Sequence, residues 1–320
     1  MKTSFYTASQ DKNGGILLCD IDGNGVITQR GFTALPGVAW LAKEGRRLYA
    51  LLREPYPMQS GVLSFELMED GRLGTPGELI PTHGSISAHL LCRDGKQYVA
   101  NYLSGTTVLL PDTVLAFSGS GPDERQRSSH PHCTTPCPSG DTLAITDLGG
   151  DRIYLCSETL EPRGSVALPA GSGPRHLVFS ADGRTAYCSL ELQSAVAVLD
   201  WSGGELRYLH SVSTVPEGYR GENSAAAIRL SPDGKLLYAS NRGHGSVRVF
   251  RTEHGGLTPL GFVRCGEGAQ LREICQVGEF LLCADEGAHC IHVFHAGEYD
   301  DPAELSRFAV VRPWSILPVT

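Results

Sequence analysis

Asp233-Gly234-Lys235-Leu236-Leu237-Tyr238-Ala239-Ser240-Asn241-Arg242, followed by Ser246-Val247-Arg248-Val249-Phe250, is the stretch on which the fold is read. A turn ending in glycine opens an apolar run, a polar pair closes it, and a small residue leads into a second apolar run. Short apolar runs bounded by such turn signals read as β-strands. The same phrase returns as Asp182-Gly183 with Thr185-Ala186-Tyr187-Cys188-Ser189-Leu190-Glu191 and then Ala195-Val196-Ala197-Val198-Leu199. It recurs around Gly45, Gly95, Gly140 and Gly278, so that six glycines stand 43 to 51 residues apart. A fixed period of that size marks an array of β units.

The ends of the chain settle the count. Counted around the termini of the 320 residues, Gly278 and Gly45 are 87 residues apart, which holds two further periods and makes seven. Phe5-Tyr6-Thr7-Ala8-Ser9-Gln10 with Gly15-Ile16-Leu17-Leu18 is the later half of the phrase without its own Asp-Gly. Its missing first half is expected from the C-terminal segment near Phe308-Ala309-Val310-Val311. The expected fold is all-β, a single seven-bladed β-propeller over residues 1–320, its ring closed by a blade shared between the N- and C-terminal segments. Such closure leaves no open sheet edge. A solenoid would not need split first and last repeats, and no stretch longer than about two turns has helical periodicity.

Composition narrows the functional classes. The net charge of −8 argues against nucleic acid as a partner, and leaves an anionic small molecule only if arginines cluster locally. No run of 18 apolar residues exists, so no membrane span is expected. The N-terminal Met1-Lys2-Thr3-Ser4-Phe5-Tyr6 lacks the apolar stretch of a signal peptide. Ten cysteines are too dilute for a disulfide scaffold, and Cys92, Cys188, Cys275 and Cys283 lie inside apolar runs. Free thiols and a cytoplasmic location are therefore expected, and a closed ring is expected to be a monomer. Cys133 and Cys137 form a CxxxC pair beside His130 and His132, but no second close pair follows, so the thiols read as structural and no metal or cofactor is expected. There is no nucleophile elbow, HExxH, Walker A or EF-hand motif. Gly171-Ser172-Gly173-Pro174 precedes a strand rather than a helix, which argues against a phosphate cradle.

Equivalent blade positions lie at equivalent depths around one axis, so two sets of residues are brought together. The first is the pair closing each second strand: Ser9-Gln10, Leu52-Arg53, Asn101-Tyr102, Asp147-Leu148, Leu190-Glu191, Asn241-Arg242 and Asp285-Glu286. Arg53, Glu191, Arg242 and Glu286 at one depth suggest a polar, convergent cup, although strand-end charges also cap solvated channel mouths. The second set opens the strand before each Gly turn: His89, His132, Arg175-His176 and Arg272. His89 and His176 there equally serve as hydrogen-bonding links between blades. His132 follows a polar excursion, residues 116–130, which is placed to lie over the cup.

Several segments carry a family resemblance along nearly the whole chain: Ala100-Asn101-Tyr102-Leu103-Ser104-Gly105, His130-Pro131-His132, Thr146-Asp147-Leu148-Gly149-Gly150-Asp151-Arg152, Gly173-Pro174-Arg175-His176-Leu177, Glu191-Leu192 and Ser240-Asn241-Arg242-Gly243-His244. The sequence resembles the lactonase family of seven-bladed propellers, which includes a bacterial 6-phosphogluconolactonase and the fungal carboxy-muconate lactonizing enzymes. The resemblance implies His132, Arg175, Glu191 and Arg242 as catalytic residues. His176, Asn241, Asn101, Arg53 and Arg272 are expected around them as substrate-binding residues.

The implied reaction is hydrolysis of an anionic sugar lactone, foremost 6-phospho-glucono-1,5-lactone, with Glu191 or His132 taking the proton of water. Cycloisomerisation of a muconate-like dicarboxylate and a non-catalytic propeller that binds a small ligand or a protein are the alternatives. Three positions depart from the family pattern: Leu190 in place of asparagine, Ala227 in place of a glutamate, and Asp285-Glu286 in place of Asn-Gln.

Overall fold

A computed structural model describes residues 2–138, 140–253 and 255–319. Its strands form seven antiparallel sheets, and none of the described residues is helical. The local reason for the repeated Asp-Gly turn is visible twice. Asp233 Oδ1 accepts from Ser231 Oγ at 2.6 Å and from the Lys235 amide at 3.1 Å, while Ser231 Oγ receives the Leu236 amide. Asp182 and Ser180 repeat this arrangement. Gly234 and Gly183 both take φ of +69°, a left-handed turn position that favours glycine.

Six blades are continuous in sequence. They begin with the innermost strands Val38–Glu44, Ser87–Arg93, Pro131–Pro136, Pro174–Phe179, Ser224–Leu230 and Leu271–Val277. The seventh is split: Pro313–Pro318 supplies the innermost strand and Thr3–Ser9, Gly15–Ile21 and Ile27–Ala34 the other three. The closing strand thus lies a few residues beyond the expected place. Phe308 and Ala309 belong instead to the half-exposed outer strand Ser306–Ala309 of the preceding blade. The reason is burial: Trp314, Ser315 and Ile316 sit in the interior, whereas Arg307 and Ala309 face solvent.

Second strands are buried along most of their length because both faces of a blade pack on its neighbours. Among the described residues the buried apolar side chains fall into seven clusters, one at each seam between blades, including the seam that closes the ring. No single residue spans the molecule; each seam buries its own core, at about 25 cal/mol per Å² of apolar surface. Polar side chains at the axial ends of the inner strands are therefore free to do something other than hold the fold.

Candidate active site

In every blade the innermost strand carries one more residue than its partner, within its first paired positions. A bulge of this kind bends the strand and re-aims a side chain. His132, Arg272 and Trp314 are the extra residues of their blades, and Arg175-His176 spans the bulge in another. Ala39 and Ala88 occupy the same position elsewhere and leave space. The second contribution comes from the ends of the second strands, at Arg53, Tyr102, Glu191 and Arg242. His132, Arg175 and Arg272 join these strand-end side chains, with Ala88 and Arg125, to line a cup of about 190 Å³.

A larger cleft of about 470 Å³ lies at the opposite end of the seam between the split blade and the next. Its cations are engaged: Arg30 with Asp20, Arg46 with the Leu67 carbonyl and Lys43 with the Val319 carbonyl. The smaller cup gathers five arginines around Glu191, an excess of positive charge over its carboxylates.

Glu191 anchors one wall of the cup. Its carboxylate is almost fully buried and meets three guanidiniums: Arg175 Nε at 3.0 Å, Arg242 Nη2 at 3.0 Å, and Arg125 in a closer contact. Burial pushes the Glu191 carboxyl up, but Arg242, Arg175 and Arg125 outweigh it and hold the group well below the usual carboxylate range. Arg175 is pulled down to about 9 by burial, with Glu191 opposing. Arg175 Nε and Arg242 Nη2 are thus spent on Glu191, while Arg242 Nε is buried without a partner.

His132 stands beside this cluster. Burial, followed by Arg175, lowers its pKa well below the ordinary imidazole value, so the ring is neutral near pH 7. Its Nδ1 is buried without a partner. The ring meets Tyr102 edge-on at 5.9 Å, and Tyr102 stacks on His130 at 4.4 Å.

The polar excursion does reach the cup and delivers Arg125, a residue that no periodicity marked. Gln126, next to it, is fully buried and donates to the Leu148 carbonyl at 2.8 Å and to Asp151 Oδ1 at 2.7 Å. Asp151 in turn accepts from the Gly171 and Gly173 amides at 2.7 and 2.8 Å. The glycine-rich segment is thus an anion nest filled by the protein's own carboxylate. The backbone beside Arg125 is pinned while its side chain stays half exposed.

Three expected substrate contacts are corrected. Asn101 is fully buried, accepts from Ser87 Oγ and donates to the Thr82 carbonyl. Asn241 does the same with Thr214, through Oδ1 and Nδ2. Successive strand residues face opposite ways, so Tyr102 and Arg242 reach the cup while the asparagines before them turn into the blade. Leu190 occupies the same inward position and simply packs in the seam, as does Ala227 one layer deeper. His176 lies beneath the cup, its Nε2 3.1 Å from Arg175 Nη1 and its ring 5.6 Å from Trp40. It backs Arg175 instead of lining the cavity. Of the three departures from the family pattern, Glu286 alone touches a cup residue, 3.3 Å from Arg272 Nη1.

A model of the family described as Lactonase, 7-bladed beta-propeller, matches residues 3–306. The chain belongs to this lactonase family. The periplasmic gluconolactonase of Pseudomonas aeruginosa shares its fold with a TM-score of 0.91 and 26% identity, over 100% of this chain and 99% of that one. A Bacteroides uniformis protein named for an inferred 6-phosphogluconolactonase activity matches with a TM-score of 0.88 and 26% identity, over 99% and 100% of the two chains. An uncharacterized protein of Staphylococcus epidermidis is 31% identical over 276 residues, 80% of each chain. This member is thus a lactonase-type propeller.

Proposed function

We propose that this lactonase-family propeller hydrolyses a sugar lactone in the cup, with 6-phospho-glucono-1,5-lactone the preferred form. The observation that carries the reading is a neutral, buried His132 beside arginines that a single carboxylate holds in place. Of the two candidate bases, Glu191 is committed to three guanidiniums, whereas His132 is neutral and its Nδ1 has no partner. His132 takes a proton from water as the water oxygen adds to the lactone carbonyl. Arg175 and Arg242, fixed by Glu191, supply positive charge beside the oxyanion that develops. Collapse of the tetrahedral intermediate breaks the bond to the ring oxygen, which receives the proton back from His132. The product is the open hydroxy acid, which releases one proton as it ionises.

Proton release from freshly prepared lactone, with the spontaneous rate subtracted, tests the reaction. Catalysed release that vanishes in His132→Ala is the expected result. No excess over the spontaneous rate with either the phosphorylated or the plain lactone would overturn the reading.

A further inference from the structure

The wall of the cup that includes Arg53 and Arg272 is built on an indole. Trp314 is the extra inner-strand residue of the split blade, the counterpart of His132 and Arg272 in theirs. The Arg272 guanidinium carbon lies 3.6 Å from the centroid of its ring, that of Arg53 5.0 Å and that of Arg312 5.5 Å. A guanidinium over an indole face is held by the ring's quadrupole while its planar fork of N–H donors stays unspent. The Trp314 Nε1 donor is itself buried without an acceptor.

Counter-charge is scarce here. Arg272 has one carboxylate partner, Glu286. Among the described residues no carboxylate lies within 4.0 Å of the Arg53 guanidinium. Glu54, its chain neighbour, is committed to Ser60 Oγ at 2.6 Å and to the Ile86 amide at 2.9 Å. Burial, with Arg272 adding to it, pulls Arg53 down to about 10 against the more distant charges of Glu54 and Glu286. Around the whole cup, five arginines face Glu191 and Glu286, which leaves three positive charges uncompensated.

We propose that Arg53 and Arg272, carried on Trp314, form an oxyanion-binding subsite for the end of the substrate remote from the reacting carbonyl, and that its ligand is a phosphomonoester dianion. This assignment rests on the lactonase reading above. A phosphorylated aldonate, with one carboxylate and one phosphate dianion, carries the three negative charges that the cup lacks. The same two forks would accept the distal carboxylate of a dicarboxylate, and the experiment separates these sources.

Calorimetric titration of the wild-type protein with 6-phosphogluconate, gluconate, glucarate and inorganic phosphate is the test. We expect 6-phosphogluconate to bind about a hundredfold more tightly than gluconate, since truncating one side of a desolvated charge pair has effects of at least that size. In Arg53→Gln and Arg272→Gln that preference collapses to within about threefold. Trp314→Phe retains most of the preference and Trp314→Leu loses it, with thermal melts showing that each variant folds. A preference that survives both arginine substitutions overturns the subsite, whatever happens to lactone turnover. An arginine-dependent preference for glucarate over 6-phosphogluconate overturns the phosphomonoester assignment. A protein that turns over no lactone, yet holds phosphate through Arg53 and Arg272, keeps the subsite and discards the reaction.

Discussion

The two walls of the cup solve the same electrostatic problem differently. Each holds one arginine from an inner-strand bulge, Arg175 or Arg272, and one from a second-strand end, Arg242 or Arg53, and the strap adds Arg125 to the first. Around Glu191 the guanidiniums of Arg125, Arg175 and Arg242 share one buried carboxylate. Around Trp314 the guanidiniums of Arg53 and Arg272 share an aromatic face. A carboxylate neutralises charge and fixes geometry but occupies part of the donor set. An indole fixes geometry and leaves both the charge and the donors available. The first arrangement suits groups that must be positioned before charge develops; the second suits capture of an anion that arrives fully charged.

The largest effect expected is on the Glu191 side, where His132→Ala should lower kcat for the lactone by about 10²–10⁴-fold, the usual worth of a general base. Initial-rate proton release measures it, and a loss of less than tenfold would remove the base from that wall. Next in size is a stability difference between the walls. Glu191→Gln leaves three guanidiniums without their shared anion and should cost about 3–5 kcal/mol, as broken buried ion pairs do. Arg53→Gln removes an unpaired cation and should stay within about 0.5 kcal/mol of wild type. Chemical denaturation compares the two, and added phosphate should restore part of the Glu191→Gln loss by binding the folded state. Equal losses would mean that the two walls are neutralised alike.

A pH series sharpens the same contrast. An ordinary imidazole base protonates near pH 6.5, whereas burial and Arg175 depress His132, so kcat should hold level as pH falls through 6. His176 is depressed by burial and Arg175, and His89 to about 3 by burial and Arg229. Their sign is opposite to that of a stabilised cation. The unfolded chain takes up protons that the folded state refuses, so these histidines make stability fall as pH drops below about 6.5. Melting curves between pH 7 and 5 in wild type and His89→Gln check this, with the smaller fall expected in the variant. The smallest effect belongs to the Trp314 wall. Glu286→Gln frees Arg272 from its competitor, and binding of 6-phosphogluconate should tighten by about threefold, the scale of a partly exposed ion pair.

How much of this was legible in the sequence differs by level. The seven periods could be counted because six blades turn at a glycine, two of them through the same Ser-x-Asp-Gly device, and follow it with a largely buried strand. The convergence of Arg53, His132, Arg175, Glu191, Arg242 and Arg272 on one cup could be read because the repeat places them at one depth. Asn101 and Asn241 were misplaced because a strand-end pair gives no sign of which member turns inward. Tyr102 closes one such pair, yet only the alternation of the strand shows that it reaches the cup. Trp314 was hidden by closure: with the closing strand sought near 308–311, its alignment with His132 and Arg272 could not be seen. Arg125 lies on a strap with no periodicity, and nothing short of the fold brings it to Glu191.

The sequence by itself determined the number of blades, the split that closes the ring and the family, since these rest on local turn chemistry, apolar patterning and contiguous motifs. Only the tertiary structure decided how burial and charge are shared among the side chains that meet in the cup, and which arginines pair with a carboxylate. Those properties are sums of desolvation and charge over residues from different blades, and no segment of the chain contains them.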